Sequence, residues 1–60
     1  MQIKELDVVE LKDGRTATVL EVFDSGKAFL VEVTDSKGKT LDMPTVEIND
    51  IARVTWKNNH

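Results

Sequence analysis

Residues 7–34 read DVVELKDGRTATVLEVFDSGKAFLVEVT, and most of the evidence for the fold lies in this segment. Apolar runs rich in Val, Thr and Phe alternate here with polar clusters that contain Gly14 and Gly26, and a third such cluster follows around Gly38. Glycine adopts positive φ at no steric cost, and Asp and Ser form local side-chain turns, so each cluster predicts a hairpin turn. Turns at this spacing leave too little room for helices of normal length. The stretch therefore predicts antiparallel strands.

The turns divide the chain into five predicted strands, at residues 7–11, 16–23, 28–34, 40–43 and 51–56. Pro44 cannot donate a ladder hydrogen bond, so the fourth strand should end near it. Residues 45–51 are expected to cross over with one 3₁₀ turn before the last strand. Short strands at this spacing predict one all-β domain over residues 1–60, a small barrel or sandwich with an ordered core at about 5–56 and a flexible tail at 57–60.

Side-chain alternation predicts which residues face the core. The inward set is Val9, Leu11, Ala17, Val19, Phe29, Val31 and Val33. A three-residue turn with Gly14 in the left-handed position would pair Val9 with Ala17 and keep both in the core. A two-residue turn would instead place Val9 opposite Thr18 and mix inward and outward residues on one face. Leu20 and Leu30 should then point away from the core.

A bulge is expected in the second strand, because Val19 and Val22 differ in parity and can both face inward only if one residue is inserted near Leu20 and Glu21. The bulge also turns Glu21 out to water. A regular strand would bury that carboxylate beside Phe29, at a cost of several kcal/mol.

Composition excludes several classes of function. The chain is 40% hydrophobic and 32% charged, which is typical of a folded domain rather than a disordered one. The chain has no cysteine and one histidine, His60, so it cannot form a disulfide and lacks the Cys and His spacings of the usual zinc sites. We assign no role to His60. Sixty residues scarcely form a catalytic cleft, and we expect no enzyme, cofactor or metal.

The longest uninterrupted apolar run, at residues 28–31, is far too short to span a membrane, and residues 1–5 lack the apolar region of a signal peptide. We therefore expect a cytoplasmic protein.

Two surfaces are candidates for binding. Trp56 is either a lid over the open end of the barrel or an exposed aromatic anchor at a protein interface, to which Leu20 and Leu30 could add apolar area. The alternative is an anion patch, because a meander brings the first and third turns to the same end. That patch would comprise Lys12, Arg15, Lys37 and Lys39.

The negative net charge of the chain argues against the anion patch. Eight Lys and Arg against eleven Asp and Glu give a net charge of −3, which opposes the phosphate neutralisation that dominates nucleic-acid affinity. Asp13 and Asp35 lie among the cations, and no exposed aromatic residue is interleaved with them for base stacking.

The run from Glu5 to Arg15, followed by Ala17–Phe23 and Phe29–Val33, resembles a family of short bacterial domains of unknown function with an SH3-like barrel fold. Its opening is also similar to the wider KOW-type group, although Ala17 stands where that pattern prefers glycine. The resemblance covers about residues 5–54. It implies a role as an accessory or immunity-type partner of a larger bacterial protein. The small core and the apolar residues left over once it is filled predict a non-enzymatic protein-binding module. The module would dock on a larger protein or on its own copy through the Leu20/Leu30 face, the Trp56 region or an exposed edge strand. The KOW likeness implies RNA or nucleoprotein contact as the alternative.

Overall fold

The computed structural model describes residues 1–59, which form six strands and one 3₁₀ turn. The strands are β1 (Val8–Leu11), β2 (Thr16–Phe23), β3 (Ala28–Thr34), β4 (Thr40–Asp42), β5 (Thr45–Glu47) and β6 (Ile51–Trp56), with the 3₁₀ turn at Ile48–Asp50 just before β6. All of the pairings are antiparallel. The predicted all-β class, the antiparallel pairing and the 3₁₀ turn before the last strand are confirmed. Across residues 1–59, no helix has the length and apolar character needed to cross a membrane.

The strand count is six rather than the expected five, because residues 45–47 pair with β3 instead of only crossing over. Val46 lies opposite Phe29 and is buried, so pairing places its side chain in the core. Pro44 separates β4 from β5, and its carbonyl accepts a hydrogen bond from the Val31 N–H at 3.0 Å. β4 ends at Asp42, one residue earlier than predicted.

The sheet is not a closed barrel, which corrects the expected closure. Its strand order is β4-β3-β2-β1-β6, with β5 also on β3, and within residues 1–59 no strand pairing joins β6 to β4 or β5. β4 and β5 have only three residues each and are interrupted by Pro44, while the β1–β6 ladder is shifted twice. Short and irregular edges cannot provide the continuous ladder that closure requires. The sheet nevertheless curls enough to enclose a core.

The first turn has the predicted geometry. Val9 lies opposite Ala17, and both are fully buried. Gly14 has φ of 93°, in the left-handed region, and its N–H donates to the Leu11 carbonyl at 2.9 Å. The three-residue turn is thereby confirmed, and with it the inward-facing register of β1 and β2.

The predicted bulge in β2 is also confirmed. Val19 lies opposite Val31, but the next partner of β3 residue Leu30 is Glu21, so Leu20 is the inserted residue. Beyond the bulge Val22 packs against the core and Glu21 is exposed. One extra residue thus reconciles two inward valines with an outward carboxylate.

Among residues 1–59, ten buried apolar side chains form a single core cluster. Its members are Ile3, Val9, Leu11, Ala17, Val19, Phe29, Val31, Val33, Val46 and Ile51. Phe29 is the largest of those that are fully buried. Burying such a side chain contributes about 1.5–3 kcal/mol.

Replacing Phe29 should therefore test the core directly. Phe29→Ala is expected to cost about 3–5 kcal/mol through lost transfer free energy and a cavity. Because a chain of this length is stable by only about 3–9 kcal/mol, that variant should be largely unfolded at low urea, while Phe29→Leu should fold with a lowered midpoint. The matched control, Leu30→Ala on the opposite side of β3, should lose less than half as much. Urea unfolding followed by far-ultraviolet circular dichroism measures all three, and equal losses for the alanine variants would contradict the assigned register.

Candidate functional site

The surface of the sheet opposite the core carries a row of residues that runs across four strands. Trp56 of β6 lies opposite Val8 of β1, Val8 opposite Thr18 of β2, and Thr18 opposite Glu32 of β3. Residues that are directly paired across strands share a face, and the sequence neighbours of Val8, Thr18 and Glu32, including Val9 and Val31, are buried. We call the surface that carries the row the outer face.

Apolar side chains lie along the outer face. Leu30 points outward, since its neighbours Phe29 and Val31 are both fully buried. Trp56 is 55% exposed, so the structure places it on this surface rather than over the core. With the bulged Leu20, the three predicted interface residues share one face of the sheet.

Two further residues belong with them and were not singled out from the sequence. Val8 pairs directly with Trp56, and Phe23, 39% exposed, lies opposite Ala28 at the end of β2. Once the β2 bulge is placed, alternation with the inward Val22 puts Phe23 outside, so the signal was present in the sequence. We call this set the apolar stripe: Val8, Leu20, Phe23, Leu30 and Trp56.

The strands and the turns carry opposite charges. Four glutamates alternate with inward residues of β1, β2, β3 and β5, and therefore lie on the outer face: Glu10, Glu21, Glu32 and Glu47. In the six strands Arg53 is the only Lys or Arg, and its Nε lies 2.9 Å from Glu10 Oε1. The other seven cations lie in turns and flanking segments, at Lys4, Lys12, Arg15, Lys27, Lys37, Lys39 and Lys57.

The predicted anion patch is a mixed surface. Arg15 donates from Nε to Asp13 Oδ2 at 2.8 Å and lies 3.9 Å from Asp42, a contact that joins the first turn to β4. In the third turn Asp35 Oδ1 accepts the backbone N–H groups of Lys37 and Lys39, each at 2.9 Å. Both turns of the predicted anion patch are thus held by hydrogen bonds to an aspartate.

Lys12 lines a shallow hollow of about 330 Å³ together with Asp13, Arg15 and Asp50. Two cations and two carboxylates balance there, so the hollow offers no net positive charge to a phosphate.

Asp7 is a buried carboxylate that the sequence pattern does not single out. It is the one charged side chain that is buried among the described residues, at 0% exposure. Its Oδ2 accepts the Lys4 N–H at 2.9 Å and its Oδ1 accepts the Asn58 N–H at 2.8 Å, while its carbonyl accepts the Val19 N–H at 2.9 Å. A buried carboxylate is tolerated when hydrogen bonds replace its hydration, and these bonds join the segments before β1 and after β6.

Asn58 lies in the tail that was expected to be flexible, yet its backbone is held by this carboxylate. The part of that expectation that concerns His60 lies outside the described residues.

A larger hollow, of about 590 Å³, lies between residues 1–5 and the β2–β3 turn. Ser25 is the hydroxyl among its lining residues, and Lys4 and Glu5 are the ionisable side chains. Serine needs a hydrogen-bonded base to act as a nucleophile, and within residues 1–59 no hydrogen bond joins Ser25 to Lys4 or Glu5. Within residues 1–59, no three His, Cys, Asp or Glu side chains come together as a metal site.

A model of the family described as a domain of unknown function (DUF4926) matches residues 3–52 of this chain. The match confirms the resemblance to a family of unknown function that was inferred from the sequence. No curated protein and no solved structure matches the chain.

Removing the Asp7 carboxylate should destabilise the fold. Asp7→Ala leaves two partly buried N–H groups without their acceptor, and a loss of about 1–3 kcal/mol is expected, whereas Asp7→Asn keeps one acceptor oxygen and should lose less. Urea unfolding gives the free energies, and native-state amide exchange at Lys4 and Asn58 should accelerate in the alanine variant.

Asp35→Ala is the matched control for Asp7→Ala, because Asp35 also accepts two backbone N–H groups but does so in an exposed turn. Water can replace those bonds, so its loss should be smaller. A loss equal to that of Asp7→Ala would refute the importance of burial.

The pKa of Asp13 is lowered, chiefly because its carboxylate accepts the Arg15 backbone N–H, with a further contribution from the Arg15 side chain and opposition from desolvation. A depressed native pKa contributes stability that is present above the unfolded value, about 3.9, and is lost as pH falls through the native value. Carboxyl titration by NMR should show a low pKa for Asp13 that rises only in part in Arg15→Gln, since the backbone donor remains. A complete return to the ordinary value would contradict the backbone bond as the main cause.

Proposed function

The chain belongs to the DUF4926 family, a domain of unknown function, and on that premise we propose that it is a non-enzymatic protein-binding module whose docking surface is the outer face. It serves as an accessory or immunity-type partner of a larger protein. The observation that supports this most is the placement of Trp56, 55% exposed and paired with Val8, on the same face as Leu20 and Leu30.

The apolar stripe is surplus to the fold. Ten apolar side chains already fill the core, and the stripe lies on the other side of the same strands. Trp and Phe are enriched at protein interfaces because they contribute large contact area with few rotatable bonds. Paired residues of adjacent strands lie about 4.8 Å apart, so Trp56 and Val8 form one continuous apolar contact within the stripe.

RNA contact through Lys12, Arg15, Lys37 and Lys39 has less support. Asp13, Asp35 and Asp42 lie among these cations, and the aromatic residues that could stack on bases lie among glutamates instead. Enzymatic activity also has less support, since within residues 1–59 no hydrogen bond activates the Ser25 hydroxyl of the larger hollow.

The proposal predicts which surface contacts the partner in the cell. A photo-crosslinking amino acid at position 30 should yield a discrete protein adduct, whereas the same group at position 36, in the exposed third turn, should not. Mass spectrometry would identify the adduct. Equal labelling from both positions would count against the outer face.

The affinity of the purified adduct partner should then depend on Trp56. Trp56→Ala should weaken binding by about 30-fold, the effect of losing one interface anchor worth about 2 kcal/mol. Because the Trp56 side chain is exposed, the urea midpoint of the Trp56→Ala variant should stay close to that of the parent protein, so a binding defect would not reflect unfolding. The control Lys37→Ala should bind normally, and an unchanged affinity in Trp56→Ala would refute the proposal.

A further inference from the structure

The outer face selects the charge of its partner as well as offering it apolar contact. We infer, resting on the proposed function, that the occupant is a basic protein segment that presents Lys or Arg side chains around an apolar centre. The inference depends on where the acidic side chains lie relative to the apolar stripe.

Glutamates flank the stripe within the same rows of the sheet. Glu21 lies directly opposite Leu30, and Glu32 lies in the row of Val8 and Trp56. Glu47 lies opposite Ala28, beside the Phe23 end of the stripe. An apolar group docked on the stripe would therefore place its neighbours against carboxylates.

These carboxylates are not neutralised by cations of the chain itself. Arg53 is paired with Glu10, and in residues 1–59 no ion pair is formed by Glu21, Glu32 or Glu47. Glu32 accepts a hydrogen bond from the Thr40 hydroxyl, which orients its side chain without neutralising its charge. The face thus keeps a net negative charge that a basic partner would complement.

The same charges argue against the other occupants. Two copies joined through this face would bring eight glutamates together with two arginines, a like-charge arrangement that is unfavourable at an interface. A nucleic acid would meet the same repulsion along its phosphates. A basic segment of a different protein is the occupant that gains from both the stripe and the glutamates.

Peptides of defined charge test the inference on the full chain. The first probe alternates Lys with Leu, Trp and Val, the second carries Glu in place of each Lys, and the third keeps Lys but carries Ser in place of each apolar residue. Amide chemical shifts of the ¹⁵N-labelled protein would be followed during titration with each peptide. The first peptide should shift Val8, Thr18 and Leu30 and weaken with added salt, and neither of the others should bind that face.

A pair of charge-removing variants provides the matched comparison. Glu21→Gln removes one charge from the outer face, while Asp35→Asn removes one from the third turn and keeps the oxygen that accepts the turn hydrogen bonds. Affinity for the first peptide should fall about 2- to 5-fold in Glu21→Gln, the range for one exposed ion pair, and stay unchanged in Asp35→Asn.

Each other outcome overturns the inference in a distinct way. Equal binding of the Glu peptide at the outer face would refute the basic partner but leave the proposed docking surface intact. Equal binding of the Lys/Ser peptide, or equal losses of affinity in the two variants, would show that the peptides bind through the net charge of the protein and would refute recognition by the outer face. Dimerisation in light scattering that Trp56→Ala abolishes would make a second copy the occupant. Failure of all three peptides to shift the outer face would refute the inference alone, since the crosslinking at position 30 tests the proposed function separately.

Discussion

The carboxylate of Asp7 holds the first and last strands of the sheet together. Within residues 1–59, β6 pairs only with β1, and β1 has four residues to hold it. Asp7 immediately precedes β1 and accepts N–H groups from Lys4 and Asn58, so one buried side chain fixes the segment before β1 against the segment after β6. Its own carbonyl also accepts from Val19 of β2. Three parts of the chain therefore meet at one residue.

The local part of the fold could be predicted from the sequence, and the nonlocal part could not. Gly14 specified its turn, and the parity of Val19 and Val22 specified the β2 bulge, because both signals lie within a few residues. β5 was missed because its strand character comes from pairing with β3, and a run of three residues has too little alternation to show it. Asp7 was missed because its partner Asn58 is 51 positions away.

The candidate site follows the same division. Alternation was enough to place Leu20 and Leu30 outside the core. The sequence does not decide whether Trp56 covers the core or lies on the surface, because each of the two register shifts in the β1–β6 ladder reverses the alternation of faces along β6. Most of the separation of charge between strands and turns follows from the predicted strands, and Glu47 joins it only through the pairing of β5 with β3. This separation distinguishes the outer face from an ordinary apolar surface.

The β1–β6 pairing also has a consequence for how the chain folds. β1 to β4 form successive hairpins whose contacts are close in sequence, whereas Leu11 and Ile51 must meet across forty residues. Closing a long loop costs chain entropy before any contact compensates for it, so folding rate falls as such contacts increase. The hairpins can form early, and docking of β6 should be the slow, late step that commits the chain to its native topology.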